Sequence, residues 1–199
     1  SLMVVNNVLY GGVMNNGVVI STNYGDTWQP TSLNNRTVYS LFNSGSKLFA
    51  GTQNGVYSSA DNGVTWIAEG LTGISIGCFT KNGNTILAGA VNGIYYSTDN
   101  GAAWIQSAMQ NESVRGFGTK GENIFAATTG AGIFASSDNG LTWQQTAQSS
   151  GNFTSFSIIN NLIFVSSYYG GVYSSTNNGA NWNKTSFINY DVTAFGSIN

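Results

Sequence analysis

Apolar and polar residues alternate along this chain in short runs, and the runs come in groups of four. In the clearest group, Val38-Tyr39-Ser40-Leu41-Phe42 leads through a polar turn, Asn43 to Ser46, into Lys47-Leu48-Phe49-Ala50-Gly51. A short loop then precedes Gly55-Val56-Tyr57-Ser58-Ser59, and a second polar stretch precedes Thr65-Trp66-Ile67-Ala68. A period of two over runs this short is that of strands, and it leaves no room for long helices. The pattern predicts four antiparallel strands per group.

The polar stretch before the fourth run is repeated five times. The copies run from Ser21 to Trp28, Ser59 to Trp66, Ser97 to Trp104, Ser136 to Trp143 and Ser175 to Trp182. All five tryptophans of the chain close these copies, at spacings of 38, 38, 39 and 39. A period of that length marks a propeller or a solenoid. Each copy must reverse the chain. Asn23, Asp61, Asp99, Asp138 and Asn177 suit this because their side chains can bond backbone N–H groups two residues on. Gly25, Gly63, Gly101, Gly140 and Gly179 supply a positive φ at little steric cost. Trp28, Trp66, Trp104, Trp143 and Trp182 are apolar anchors large enough to fill the gap to a neighbouring unit. Asn replaces Asp in two copies, so a charge is not required and the role is structural. A second glycine opens the third run of every group: Gly17, Gly55, Gly93, Gly132 and Gly171. No phosphate-loop motif accompanies these glycines.

The pattern S-x-D-x-G-x-T-W resembles the Asp-box (BNR) repeat, and the resemblance covers essentially the whole chain. Families with this repeat include sialidases, sortilin-type receptors, xyloglucan-cleaving glycosidases and photosystem II assembly-factor-like proteins. The resemblance implies an all-β, five-bladed β-propeller of four-stranded antiparallel blades, with one Asp-box turn per blade between the two outer strands. It implies fold rather than activity, and it places the boxes away from the ligand face. The repeats fall at about 1–29, 30–67, 68–105, 106–144 and 145–183 of a single domain, 1–199, with a closing strand over 191–199.

Composition narrows the function classes. At 199 residues the chain can bury one good core. Only 7% of residues are charged and the net charge is −2, so no basic patch exists for nucleic acid or an anionic membrane. Aromatics at 13% and apolar residues at 41% argue against disorder. No apolar run is long enough for a transmembrane helix. The lone Cys78 lies in an apolar strand and reads as a small buried hydrophobe, since no histidine is present to activate it. The glycosylation sequons at Asn35, Asn111, Asn152 and Asn183 are of the kind expected by chance in an Asn- and Thr-rich chain. No signal peptide precedes the first repeat, and the chain is expected to be a mature or excised domain. By resemblance it is expected outside a bacterial cell or on its surface.

Five such sheets can close into a ring. Leu2 to Asn6 and Phe195 to Asn199 claim the same slot, and Val192–Ile198 is expected to take it, pairing beside Val8–Tyr10 and joining the ends. That makes Ser1–Met3 dispensable. The loops between the second and third strands then lie with the blade-to-blade loops on one face, opposite the boxes, where variation carries function. These loops are longest in the first and fifth repeats, Gly12 to Asn16 and Ser166 to Gly170. The blade-to-blade loops add Arg36, Glu69, Glu112, Arg115, Phe187, Tyr190 and Asp191. A neutral glycan or a protein surface is the expected ligand, bound by Met14, Tyr168, Tyr169, Tyr190, Asp191 and Arg36. An alternative role for the tyrosines is to fill space between blades.

Catalysis has little support. A glycosidase needs two carboxylates about 5–10 Å apart, and most aspartates here are held in boxes. Sialidases of this family use three arginines on the sugar carboxylate, and only Arg36 and Arg115 exist. Neither a histidine nor a carboxylate-rich calcium loop is present, so no metal or cofactor is expected. The expected function is a non-catalytic binding or scaffold propeller, monomeric, with no nucleic-acid or membrane partner. The alternatives are a glycoside hydrolase, whole or fragment, and a partner-gripping assembly factor.

Overall fold

A computed structural model of the chain describes residues 1–188 and 190–195. Every regular element among them is a strand. β1 (Leu2–Val5), β2 (Val8–Val13), β3 (Gly17–Ser21) and β4 (Gln29–Pro30) form one sheet in that order. β5 (Val38–Asn43), β6 (Leu48–Thr52), β7 (Gly55–Ser59) and β8 (Ile67–Gly70) form a second. β9 (Ile76–Asn82), β10 (Thr85–Ala90), β11 (Gly93–Ser97) and β12 (Ile105–Gln110) form a third. The fourth group is β13 (Val114–Lys120), β14 (Asn123–Gly130), β15 (Ile133–Ser136) and β16 (Gln144–Gln145). The fifth is β17 (Gly151–Ile159), β18 (Leu162–Ser167), β19 (Gly171–Ser175) and β20 (Asn183–Lys184). These two groups merge into one eight-stranded sheet, because β14 runs on to pair Thr129 with Asn152 and Gly130 with Gly151 of β17.

The chain divides into two compact units. One comprises Ser1–Ala88 with Ser97–Ile105; the other comprises Gly89–Tyr96 with the described residues from Gln106 onward. In the first, Tyr10, Val18, Leu33, Val38, Leu48, Ala50 and Trp66 form a buried apolar cluster. In the second, Ala127, Ile133, Phe153 and Val165 do, with Phe156, Tyr173 and Trp182 packed on them. Alternation explains both: inward-facing residues of neighbouring strands meet across the sheet surfaces. Cys78, expected to be buried, is half-buried in β9.

The repeated turn is built by a fixed set of bonds. In the second copy Ser59 Oγ donates to Asp61 Oδ1 at 2.7 Å and accepts from Gly63 N at 2.8 Å. Thr65 N donates to Asp61 Oδ1 at 2.9 Å, and the Thr65 hydroxyl donates to Oδ2. The carboxylate thus reaches four residues on, not the two expected from Asx-turn chemistry, because the N–H two residues on, that of Gly63, is taken by Ser59 Oγ. Asn23 and Asn177 make the same acceptor bond, to Thr27 N at 3.0 Å and Asn181 N at 2.9 Å. In the first copy the spare amide donates to Thr27 Oγ1 at 2.9 Å. Because Thr65 is held by the turn, the outer strand begins at Ile67 and not at Thr65 as expected.

The turn needs two successive left-handed residues. Gly63 has φ +84°, and Asn62 before it has φ +57°. Asn100, Asn139 and Asn178 stand at the same position with φ +57°, +59° and +53°, while the first copy places Tyr24 there at φ +58°. Asn tolerates this region; Tyr does so poorly. At Gly63 there is a second constraint, since a Cβ would lie 2.7 Å from Tyr10 Cε1.

The five indoles fall into two states. Trp28, Trp66 and Trp143 each donate Nε1–H to the carbonyl of their own turn glycine, at 3.1, 3.0 and 2.9 Å. These are the copies with Thr before the Trp. Where Ala103 and Asn181 replace it, Nε1 of Trp104 and Trp182 is buried with no acceptor among the described residues. Those rings stand edge-on to Phe49 and Phe125, at 6.4 Å and 88°, and 6.3 Å and 86°. Phe79 and Phe156 complete each aromatic trio.

The expected closing strand requires correction. The slot beside Val8–Tyr10 belongs to β1, which pairs Met3 with Tyr10 and Val5 with Val8. Ser1 is part of the same arrangement: its ammonium donates to Gly12 O at 3.1 Å and Gly12 N donates to Ser1 O at 2.9 Å. Ser1–Met3 are therefore not dispensable to this sheet. Residues 191–195 carry no strand, and Val192 O accepts from Thr154 Oγ1 at 3.0 Å. The remainder of the expected strand, 196–199, lies outside the described residues.

Candidate functional site

The second unit carries an exposed aromatic cluster on two loops. The first loop joins β18 to β19 and contains Tyr168, Tyr169 and Gly170. Tyr168 N donates to Asn152 O at 2.9 Å, and Ser167 Oγ donates to Tyr168 O at 3.1 Å. These bonds fix the loop against β17. Tyr169 is left-handed, with φ +60°. Its N–H donates to Asp191 Oδ1 at 2.7 Å. A strained tyrosine held by a carboxylate from another loop is a conformation that the surroundings impose.

The second loop follows β20 and holds Phe187, Ile188, Tyr190 and Asp191. Gly171 N donates to Tyr190 O at 3.2 Å and Val172 N to Phe187 O at 3.1 Å. Gly171 permits this approach. It has φ +79°, and a Cβ there would collide with the Phe187 carbonyl. The recurring glycine at the head of the third strand is thus what lets the two loops lie together.

The rings pair off. Tyr168 and Tyr169 are 6.3 Å apart at 42°, and Phe187 stacks on Tyr190 at 4.9 Å and 29°. Relative exposures are 41%, 78%, 50% and 61% for Tyr168, Tyr169, Phe187 and Tyr190, far above what space-filling between sheets would leave. The cluster stands at the opposite end of β19 from the turn that contains Asn177, Gly179 and Trp182. Exposed aromatic faces beside one carboxylate suit a ligand with apolar ring faces and hydroxyl or amide donors. Phe187 came from the sequence only as a loop residue; no pattern marked it as the stacking partner of Tyr190.

The other expected site residues belong to the first unit. Met14 is 71% exposed in the β2–β3 loop. Beside it, Asn15 N donates to Thr37 Oγ1 at 3.2 Å. Arg36 is half-buried, its guanidinium 5.6 Å from the centroid of the Tyr57 ring. Two residues expected in blade-to-blade loops are inside strands. Glu69 sits in β8, bonded by Lys47 Nζ at 2.8 Å and by the Ser58 hydroxyl. Arg115 sits in β13 and donates from Nε to Thr129 Oγ1 at 3.1 Å. Among the described residues no group of three His, Cys, Asp or Glu is placed to hold a metal ion. Among the described residues, too, no helix is long and apolar enough to cross a membrane.

The carboxylates of the repeated turns are held ionised. The Thr65 hydroxyl, then Thr65 N–H and Ser59, lower Asp61 to about 2. The Ala103 N–H and then the Ser97 hydroxyl lower Asp99. At Asp138 desolvation opposes, but the Thr142 hydroxyl and N–H and Ser136 together lower it. These groups serve the turns and leave no proton to donate near neutral pH.

No protein-family model and no curated protein sequence matches the chain. Solved structures do. A computationally designed protein, Ika8, superposes with a TM-score of 0.75 at 12% identity, over 100% of this chain and 64% of its own. The GH74 xyloglucanase from Xanthomonas campestris matches with a TM-score of 0.67 at 13% identity, over 89% of this chain and 36% of that enzyme. YCF48 from Cyanidioschyzon merolae matches with a TM-score of 0.63 at 15% identity, over 94% and 66%. GH74 enzymes and YCF48 are β-propellers, and the likeness shows a β-propeller fold here. The chain spans only part of the length of each of these neighbours.

Proposed function

We propose that this chain is a non-catalytic binding module, five Asp-box blades long, that holds a neutral glycan on the aromatic cluster of its last blade. The observation that carries this reading is the pair of stacked or adjoining rings, Tyr168–Tyr169 and Phe187–Tyr190, fixed by backbone bonds yet exposed. Sugar rings present C–H faces that lie on aromatic faces, and Asp191 is at hand to accept from hydroxyls. A low charge density favours an uncharged ligand over an acidic one. Likeness to glycan-cleaving GH74 propellers agrees with a sugar as ligand, and an extracellular bacterial setting follows as part of the same proposal.

Two further readings remain in competition. A glycosidase needs a free carboxylate pair, which Glu69, already tied to Lys47 and Ser58, does not offer. A partner-gripping module of the YCF48 kind would use the same rings on a protein surface.

Glycan-array binding followed by calorimetry tests the proposal. Tyr169→Ala and Tyr190→Ala are each expected to weaken a glycan hit about tenfold, roughly 1.4 kcal/mol, with the thermal melt unchanged. An array without hits, or release of reducing sugar from polysaccharides, overturns it.

A further inference from the structure

The Asn ahead of the turn glycine bridges to the hairpin of the group before it. In the third copy Asn100 Nδ2 donates to Ser46 Oγ at 2.9 Å, in the turn between β5 and β6. In the fifth, Asn178 Oδ1 accepts from Lys120 Nζ at 2.7 Å, and the same ammonium donates to Asn161 O at 2.6 Å. In these copies the carboxamide ties one turn to the next.

In the second copy the gap stays open. Asn62 stands at the same position and accepts from the Tyr10 hydroxyl with its backbone carbonyl, at 3.0 Å. Its carboxamide has no partner among the described residues. The hairpin of the preceding group is short: Val5 pairs with Val8, and Asn6 and Asn7 between them are left-handed, with φ +50° and +65°. The β5–β6 turn is longer, with Asn43 paired to Leu48 across Ser44 to Lys47. The shorter hairpin does not reach Asn62. A cleft of about 150 Å³ lies between the Asn6 turn, the β5–β6 turn and the second box turn, all within the first unit.

The lining is rich in groups that give and take hydrogen bonds. Asn6, Asn43 and Asn62 each bring a carboxamide, and Ser46 brings a hydroxyl. Asn43 Oδ1 is taken by Gly45 N at 2.9 Å, which leaves the two N–H donors of that amide. Ser46 Oγ accepts from Asn100 and keeps its own hydrogen to donate. The one charged residue of the lining, Lys47, is neutralised by Glu69 at 2.8 Å. Among the described residues, no aromatic ring and no carboxylate lines the cleft.

We propose that this cleft binds a single sugar residue through its hydroxyls. Hydroxyls and carboxamides match because each donates and accepts, and neighbouring hydroxyls of a sugar ring can use the N–H and C=O of one carboxamide together. Neutralisation of Lys47 disfavours an anion, whose charge would be desolvated without a compensating cation. Size sets the limit on the ligand. Small-molecule sites usually run to about 300–1,000 Å³, so a cleft of about 150 Å³ holds one ring and not a chain. The site does not rest on the aromatic cluster: it belongs to the other unit, uses no ring face, and is walled by a box turn, which the resemblance sets apart from ligands.

Amide NMR of the ¹⁵N-labelled protein, titrated with D-glucose, D-galactose and D-mannose, is the test. At least one sugar is expected to give saturable shifts at the backbone amides of Asn6, Gly45, Ser46 and Asn62. The dissociation constant should be millimolar, as a few net hydrogen bonds would give. Binding at the aromatic cluster would instead shift the amides of Tyr168, Tyr169 and Tyr190, so the two readings fail separately. Methyl glycosides run alongside tell a chain end, which they mimic, from a free monosaccharide as the source. Asn6→Gly and Asn62→Gly each remove a carboxamide and still tolerate the left-handed backbone. Each should weaken the sugar about fivefold, with the circular-dichroism spectrum unchanged. No saturable shift at these amides with any of the sugars, wild-type affinity in both variants, or tighter binding of sodium sulfate than of any sugar would each overturn the proposal.

Discussion

Substituting Trp66 and Trp104 by Phe should separate two indoles that the repeat makes look equivalent. Trp66 Nε1 donates to Gly63 O at 3.0 Å, whereas Trp104 Nε1 is buried with no acceptor among the described residues. Both substitutions remove the same atoms; Trp66 is buried and Trp104 half-buried, so the loss of contact and cavity energy is at least as large at Trp66. The part common to both cancels in the difference. Trp66→Phe also breaks a hydrogen bond of about 0.5–1.5 kcal/mol net. Trp104→Phe instead removes an unsatisfied donor, which relieves a desolvation penalty of about 1–3 kcal/mol. The edge-on contact with Phe49, at 6.4 Å and 88°, is of a kind that a phenyl ring can retain. Trp66→Phe is therefore expected to be the more destabilising by about 2 kcal/mol or more, read by urea unfolding followed by far-UV circular dichroism. Equal losses, or a larger one at Trp104, would refute the argument that the indole bond divides the copies into two states.

Acid should loosen the turns in a defined window. The folded value of Asp61, about 2, lies below its ordinary 3.8, so the ionised carboxylate contributes stability in full above about pH 4 and loses it as pH falls through about 2. Asp99 and Asp138 shift the same way. Thermal melts across this range should fall for the wild type and fall less for Asp61→Asn, and a wild type indifferent to pH 2 would contradict the bonding at these turns. Tyr24→Asn should stabilise by about 1 kcal/mol, because Tyr24 holds φ +58° where the other four copies use Asn. A neutral or lower melting temperature would show that the exposed Tyr24 ring makes up the strain.

What was legible in the sequence was whatever recurs. Ser, Asp or Asn, Gly and Trp come back in phase because each is tied by a local bond or a local φ, and local constraints leave a period. Asn62, Asn100, Asn139 and Asn178, ahead of four of the five turn glycines, recur in the same way, and their left-handed φ values give the reason. Pairings between distant segments leave no such mark. β1 and the segment after Tyr190 have nearly the same strand-like pattern, and alternation alone cannot say which of them lies beside β2. The strand at Leu2–Val5 takes that place through its register with Val8–Gly11 and the bonds between Ser1 and Gly12.

The candidate site shows the same division. Tyr168 and Tyr169 stood out because their loop, with that of the first repeat, is the longest of the five and carries two aromatic residues. The stacking of Phe187 on Tyr190 did not, since it depends on Gly171 admitting the Phe187 carbonyl at the head of β19. Gly171 is one of five glycines at that position, so the device that positions the site is common to every repeat. What differs is the pair of loops it brings together. In the second repeat the same glycine, Gly55, approaches the Gly70 carbonyl, and the two-to-three loop there is the short Thr52-Gln53-Asn54. Only where the shared backbone contact joins an aromatic two-to-three loop to an aromatic following loop does a platform arise. On the proposed function, binding specificity resides in loop side chains, while the turns that made the fold recognisable are free to repeat without change.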